Sequence, residues 1–231
     1  MTHAHGLPAD APAPPPAVAT WRLLATLGGA GALAGLLIVV GFTKTLPRIE
    51  ANKSAALALA VTEVLMTPAR YDTLYLVDSA LVRALPAGRS AKGLETVYHG
   101  FDSTGAPIGY AIAASGNGFQ DAINLIFGYD PRTRQLIAMK ILGHKDTPGL
   151  GDKIEKDTAY TAQFGRARAP LVPVKPGTGG TDPTNVHTIT GATISSKAVI
   201  KIINTAIERW TPLLSAAPGA TAAASAPGGT P

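Results

Sequence analysis

The stretch HTITGATISSKAVIKII, residues 187–203, places five hydroxyl side chains around one Gly-Ala step, just before an amphipathic run: Thr188, Thr190, Thr193, Ser195 and Ser196. A helix N-cap uses one or two hydroxyls, and we expect either serine to fill that position. A helix start preceded by glycine also favours a bound phosphate, because its unpaired N–H groups and the helix dipole attract anions. The two surplus threonines, Thr190 and Thr193, therefore indicate contact with a phosphate or esterification by one.

The surrounding pattern predicts an α+β domain over residues 48–214. A helix is expected over Ala51–Met66, with Pro68 stopping it, and a closing helix over about Ser196–Trp210, with Pro212 ending it. Between them, turn signals separate apolar runs that read as an antiparallel meander of about four strands: LETVYHGF, IGYAIAAS, AINLIFGYD and QLIAMKILG. Residues 144–183 read as irregular, since they are rich in glycine and proline. The expected fold is a sheet with flanking helices.

An uncharged apolar segment, Leu23–Thr43, precedes this domain and predicts a transmembrane helix over residues 21–44. A cleaved signal peptide is the alternative, but the segment is longer than a usual signal core and follows about 20 residues of polar, Pro-rich chain. The tails, residues 1–20 and 215–231, are low-complexity Ala/Pro/Gly segments expected to be disordered. More basic residues follow the apolar segment than precede it, which weakly opposes a cytoplasmic N-terminus.

Composition excludes several kinds of chemistry. Charged residues make up only 15% of the chain and hydrophobic residues 46%, as expected for a protein with an apolar anchor. The absence of cysteine excludes disulfides, iron–sulfur clusters and thiolate catalysis on this chain. The net charge of +5 is interspersed, so we expect no nucleic-acid partner. The single histidines and scattered carboxylates lack metal-ligand spacing, and neither a metal site nor catalytic residues are expected.

A second candidate stretch is HKDTPGLGDKIE, residues 144–155, which follows the last predicted strand. Its glycines would let the backbone approach a planar ligand closely, while polar side chains supply contacts. A plain surface loop is an equally good reading of these residues alone. The P-loop pattern GxxxxGK[ST] is absent.

Together, these stretches resemble the FMN-binding domain family, and within it the G subunits of Rnf (Rsx) electron-transport complexes. The family's motif, close to Asp-x-x-Ser/Thr-Gly-Ala-Thr, is matched by Thr190, Gly191, Ala192 and Thr193. The loop is similar to the family's His-Lys-Glu-Thr-Pro-Gly-Leu-Gly, with Asp146 at the glutamate position. The stretch GYAIAASGNGFQDAINLIFGYD also resembles the family's Gly-rich step into a strand. The likeness covers roughly residues 20–211.

The resemblance implies a covalent FMN electron carrier, with the FMN phosphate joined to Thr193 as a phosphoester. The other cofactor-binding residues it implies are Thr190, Gly191, Ala192, Ser195, Ser196, His144, Thr147, Gly149, Leu150, Gly151 and Lys153. The loop from His144 to Lys153 would face the isoalloxazine ring. The implied partners are a flavin transferase, the lipid bilayer, a second flavin subunit and integral membrane subunits of an ion-translocating oxidoreductase complex. The domain is expected on the periplasmic side of the cell inner membrane, and the chain is not expected to oxidise NADH itself.

One departure and three alternatives accompany this interpretation. His187 stands where the family usually has aspartate, so flavin attachment could be slower or depend on Asp182. The nearest alternative is the C subunit of the Na⁺-translocating NADH:quinone reductase, which is usually longer between anchor and flavin motif. A second is a membrane-anchored binding or assembly protein without covalent flavin, which the His187 substitution favours. A regulatory protein of the same family would typically carry several transmembrane helices, whereas this sequence has one candidate.

Overall fold

The computed structural model describes residues 19–91, 93–145, 149 and 151–216. The chain divides into two compact units, Met1–Lys53 and Ser54–Pro231. Helix α1, Thr20–Val64, begins in the first unit and contains the predicted transmembrane segment. The apolar window of α1 has a mean hydropathy of 2.3 and is entirely exposed. It is long and apolar enough to cross a bilayer, a property that a signal sequence shares.

The second unit is built around a six-stranded antiparallel sheet in the order β2-β1-β3-β4-β5-β6. Its strands are β1 Arg70–Val77, β2 Ala80–Val82, β3 Thr96–Phe101, β4 Pro107–Asn117, β5 Ala122–Asp130 and β6 Gln135–Gly143. The four predicted strands correspond to β3–β6, and the predicted α+β class is confirmed. Sequence reasoning missed β1 and β2, because β1 lies towards the edge of the sheet and lacks a clean alternation of buried and exposed residues.

Helices cover the two faces of the sheet. Helix α4, Thr193–Ser215, packs its apolar side on the face that carries Ile112, Leu125 and Phe127. The last turns of α1 cover the other face, where Val61 and Val64 lie in a cluster with residues of β4 and β5. A Cβ on Gly128 would lie 2.2 Å from the carbonyl oxygen of Val64, so this helix end approaches the sheet backbone directly.

Residues 144–183 are more regular than predicted. They contain α2 Lys153–Lys156, α3 Thr158–Gln163, a 3-10 turn Phe164–Arg166 and β7 Val172–Val174, which pairs in parallel with β8 Asn185–His187. Such short elements bury few side chains each and leave little periodicity in the sequence. This segment brings β8 and the following turn to the start of α4.

Two predicted boundaries of α4 are wrong. The helix begins at Thr193 rather than Ser196, and it continues through Pro212 to Ser215. Pro212 costs one backbone hydrogen bond, but Leu214 beyond it is completely buried in the core. Packing of that last turn therefore prevails over the helix-breaking tendency of proline.

Candidate functional site

The Thr-Gly-Ala-Thr turn leads directly into α4. Gly191 has φ +84°, a left-handed conformation that glycine adopts without strain. Ala192 is the N-cap residue, and no side chain caps the helix among the described residues. The expectation that Ser195 or Ser196 would be the N-cap is therefore wrong. Both serines lie inside the first turn and are buried.

Ser196 holds the turn against the helix. Its hydroxyl accepts a hydrogen bond from the amide of Ile189 at 3.1 Å and donates to the carbonyl of Ala192 at 2.9 Å. The buried hydroxyl of Tyr160, on α3, donates to the Ser196 carbonyl at 3.1 Å. These bonds join α3, the threonine turn and α4 into one rigid support.

The Thr193 side chain stands exposed at the first helical position. Within the described part of the chain, its hydroxyl makes one long hydrogen bond, 3.4 Å, to the carbonyl of Ile189. It faces a cavity of about 340 Å³ lined by Phe119, Gly151, Gly191, Ala192, Thr193, Ile194 and Ser195. Four residues that the resemblance named besides Thr193 thus line the same cavity: Gly151, Gly191, Ala192 and Ser195.

Two solvent-exposed apolar side chains flank this cavity. Phe119 and Ile194 are each 59% exposed, although both are large hydrophobic residues. Sequence reasoning missed both as site residues. Two features of the sequence could have indicated them. Phe119 is an aromatic residue in the turn GNGFQD, and Ile194 lies off the apolar face of α4. Exposed apolar groups beside a nucleophilic hydroxyl suit a flat aromatic ligand better than an ion alone.

The start of α4 also suits a phosphate. The first amides of a helix have no intrahelical partners, and those of Thr193 and Ile194 belong to this turn. The helix dipole adds positive potential at the same point. An FMN phosphate on or beside Thr193 would thus meet donors, and the flavin would meet Phe119 and Ile194. The residues around Thr193 therefore fit FMN, the cofactor that the resemblance implies.

Thr190 and Lys153 line a neighbouring groove instead. This groove, about 820 Å³, runs between α2–α3 and β8, and His187 also lines it. The side chain of Lys156 there bonds to Asp152 at 2.7 Å. This hydrogen bond is the main cause that lowers the pKa of Asp152 below its ordinary value. Thr190 and Lys153 are therefore separated from the predicted site residues that line the Thr193 cavity.

The loop after β6 is tied down at its base. His144 lies 3.2 Å from a carboxylate oxygen of Glu155 at α2, and Lys145 forms a 3.0 Å ion pair with Asp121 of the β4–β5 turn. His144 lines a separate depression, next to Asp121, rather than the Thr193 cavity. Gly149 has φ +80°, as a tight loop requires. The predicted contacts Thr147 and Leu150, with Asp146, lie outside the described residues.

His187, which stands where the family usually has aspartate, is held through both its amide and its ring. Its amide donates to Gln163 Oε1 at 2.7 Å, and its Nδ1 lies 3.3 Å from the carbonyl of Lys175. Asp182 is engaged in its own turn, where its carboxylate accepts bonds from the amide and hydroxyl of Thr184 at 2.9 and 2.8 Å. Among the described residues, Asp182 does not line the Thr193 cavity.

Comparison with known proteins points to one family. Residues 118–208 match the FMN-binding domain family. The chain is 36% identical over 104 residues to the G subunit of the proton-translocating ferredoxin:NAD(+) oxidoreductase complex of Clostridium ljungdahlii. The matched region is 45% of this chain and about half, 54%, of that protein. The chain is 25% identical over 187 residues to the G subunit of an ion-translocating oxidoreductase complex of Methanosarcina acetivorans, covering 81% and 92%. The predicted resemblance is thereby confirmed.

The fold is also that of a solved structure. The crystal structure of NqrC from Shewanella oneidensis superposes with a TM-score of 0.60, covering 72% of this chain and all of that one, at 16% identity. At this identity the likeness concerns the fold alone.

Proposed function

We propose that this chain, which contains an FMN-binding domain in residues 118–208, carries FMN on Thr193 and transfers electrons as the G subunit of an ion-translocating oxidoreductase complex. The observation that carries the proposal is the position of the Thr193 hydroxyl. It is exposed at an uncapped helix start and opens into a cavity flanked by the exposed side chains of Phe119 and Ile194. The G-subunit names of the relatives support the role in a complex.

Attachment of FMN to Thr193 is a phosphoryl-transfer reaction. The Thr193 oxygen attacks the FMN phosphorus of a phosphoanhydride donor held by a flavin transferase. The anhydride P–O bond breaks, a P–O bond to Thr193 forms, the hydroxyl proton is lost and the other phosphate leaves. The product is heavier than the free chain by one FMN less one water. The amides at the start of α4 would accommodate the negative charge on the phosphorus oxygens.

Bound FMN supplies reversible one- and two-electron transfer. The ester lies outside the conjugated ring, so the protein must tune the flavin through contacts. Phe119 and Ile194 would exclude water from one part of the ring, and the glycine at position 151 permits close approach of the loop backbone. The residues around Thr193 bind and orient the group, and no residue of this chain is assigned a catalytic role of its own.

Helix α1 supports a membrane location. We propose that α1 anchors the chain in the cell inner membrane, with the flavin domain on the periplasmic side. Integral membrane subunits and a second flavin subunit of the complex would then exchange electrons with it there. The groove lined by Thr190, Lys153 and His187 lies beside the attachment site and would contact either the flavin or the transferase.

The direct test is denaturing electrophoresis of the full chain co-expressed with a flavin transferase, viewed under ultraviolet light. We expect a fluorescent band whose intact mass exceeds that of the unmodified chain by one FMN less one water. A dark band of unmodified mass would refute covalent attachment and favour an anchored binding or assembly protein. The variant His187→Asp restores the residue that is usual in the family. If flavin attaches only in this variant, Thr193 is a competent acceptor and His187 prevents its modification.

A further inference from the structure

Strand β4 extends beyond the end of its neighbour β3. The pairing of β3 with β4 ends at Val97 and Ile112, because the chain before Thr96 turns away towards β1. Residues 114–117 pair with β5 on one side. Within the described ranges, no strand pairs with them on the side of β3. The last four residues of β4 are thus an open strand edge in the middle of a sheet.

The backbone of this edge points outwards at Ser115 and Asn117. The amide of Gly118 bonds to the carbonyl of Asp121 at 2.8 Å, which sets the alternation of the β4–β5 ladder. By that alternation Gly116 bonds to β5, whereas the N–H and C=O groups of Ser115 and Asn117 face away from it. Both residues are exposed. Four backbone groups are therefore available to an added strand.

A groove of about 540 Å³ runs along this edge and is closed on its other side by α4. A Cβ on Gly116 would lie 2.7 Å from Cγ1 of Ile202, so the floor of the groove is narrow and apolar. The exposed flank of α4 contributes Lys201 and Thr205. Arg209, at the far end, is held by a two-pronged ion pair with Glu95. In the part of the chain that is described, no carboxylate lies within ion-pair distance of Lys201.

We propose that this edge binds an extended segment of another polypeptide, which adds a strand to β4 and directs acidic side chains towards Lys201. Strand addition draws affinity from main-chain hydrogen bonds, while pockets beside the edge select alternate side chains. Alternate residues of the added strand would face α4, where the cation favours a carboxylate.

Two other occupants fit less well. A second copy of this chain would bring its own Lys201 to the same groove, and the chain carries a net charge of +5. The sequence of residues 217–231 contains no acidic side chain and three prolines, which cannot donate backbone hydrogen bonds. Charge and hydrogen bonding therefore both favour a separate acidic segment.

The test places a photoreactive benzoylphenylalanine at Thr205, on the flank of the groove, in the full chain in its own membrane. After irradiation, mass spectrometry identifies the crosslinked peptide. We expect an extended segment of another protein with acidic residues at alternate positions. The same probe at Ser103, in the β3–β4 turn, serves as the matched control and should not capture that peptide. Crosslinks at Thr205 to a second copy, to residues 217–231 or to no protein would overturn the proposal.

Backbone substitution then tests the binding mode. Ser115→Pro removes one outward N–H, and we expect the crosslink yield at Thr205 to fall about tenfold, whereas Ser115→Ala retains the N–H and the yield. Equal yields in both variants would exclude strand addition. If the proline variant fails to fold, Lys201→Glu, which leaves the backbone unchanged, must lower the yield by a similar factor. The readout uses no flavin, so Thr193→Ala should crosslink normally whether or not the proposed electron transfer is correct.

Discussion

The hydroxyl of Ser196 accepts a hydrogen bond from the amide of Ile189, seven residues earlier in the chain. This bond crosses the Thr-Gly-Ala-Thr turn from inside the helix that follows it. It positions Thr193, because it joins the residue before the turn to the first turn of α4, and Thr193 lies between the two. A buried serine in the first turn of α4 thereby positions an exposed threonine.

Ser196→Ala should lower the free energy of unfolding by about 1–2 kcal/mol, since it leaves the buried amide of Ile189 without a partner. Urea unfolding of the full chain in detergent measures this change. Ser215→Ala, which removes an exposed hydroxyl at the end of the same helix, is the control and should change stability by less than about 0.5 kcal/mol. Equal effects of the two substitutions would contradict a supporting role for Ser196.

Thr193→Ala should abolish covalent flavin and leave the fold intact, because the hydroxyl of this exposed residue makes one long hydrogen bond to the described residues. In-gel fluorescence reports attachment, and circular dichroism reports folding. Thr205→Ala is the control, since it removes an exposed hydroxyl of the same helix that lines the groove beside β4 rather than the Thr193 cavity, and it should retain the fluorescent band. A fluorescent Thr193→Ala band would move the acceptor to another hydroxyl of the turn.

Phe119→Ala should expose the attached flavin to solvent without destabilising the protein, because Phe119 is 59% exposed beside the Thr193 cavity. Quenching of flavin fluorescence by iodide is the measurement, and the quenching constant should rise severalfold. Leu142→Ala, at an exposed apolar residue of β6, should leave quenching unchanged. An unchanged constant in Phe119→Ala would place the ring elsewhere, with the groove beside Thr190 as the next site to examine.

Acid should destabilise the sheet through His99. Its ring stacks on Tyr110 and lies tilted against Phe101, with both centroid distances 4.3 Å, and its buried Nδ1 has no hydrogen-bond partner among the described residues. Burial, followed by the positive charge of Arg83, lowers the pKa of His99 from 6.5 to about 4. The folded state therefore binds fewer protons than the unfolded state between these values.

The stability that depends on neutral His99 is thus complete above about pH 6.5 and is lost as the pH falls towards 4, by up to roughly 3 kcal/mol. Urea unfolding at a series of pH values measures the slope. His99→Phe keeps an aromatic ring in the stack and removes the titrating group, so its slope over this interval should be smaller. If both proteins show the same slope, another group is responsible.

The sequence allowed the central strands and the candidate acceptor to be predicted, for different reasons. Strands β3–β6 are long, apolar and separated by strong turn signals, and those are local properties. Thr193 was identified from a short motif whose residues are adjacent in the chain. By contrast, β1 lacks alternation, and α4 begins at Thr193, three residues before the predicted Ser196, because Ser195 and Ser196 are buried inside the first turn instead of capping the helix.

By itself, the sequence determined the apolar segment, the α+β class, the order of the central strands and the Thr-Gly-Ala-Thr motif, since the segment, each strand with its turn, and the motif are encoded by neighbouring residues. Only the tertiary structure decided which residues meet at Thr193. Phe119 and Gly151 line the cavity at Thr193 although they lie more than 40 residues away in the chain, and Thr190, three residues away, lines a different depression. The physical reason is that cavities form where separate elements pack, and burial of the core around α4 depends on contacts distant in the chain.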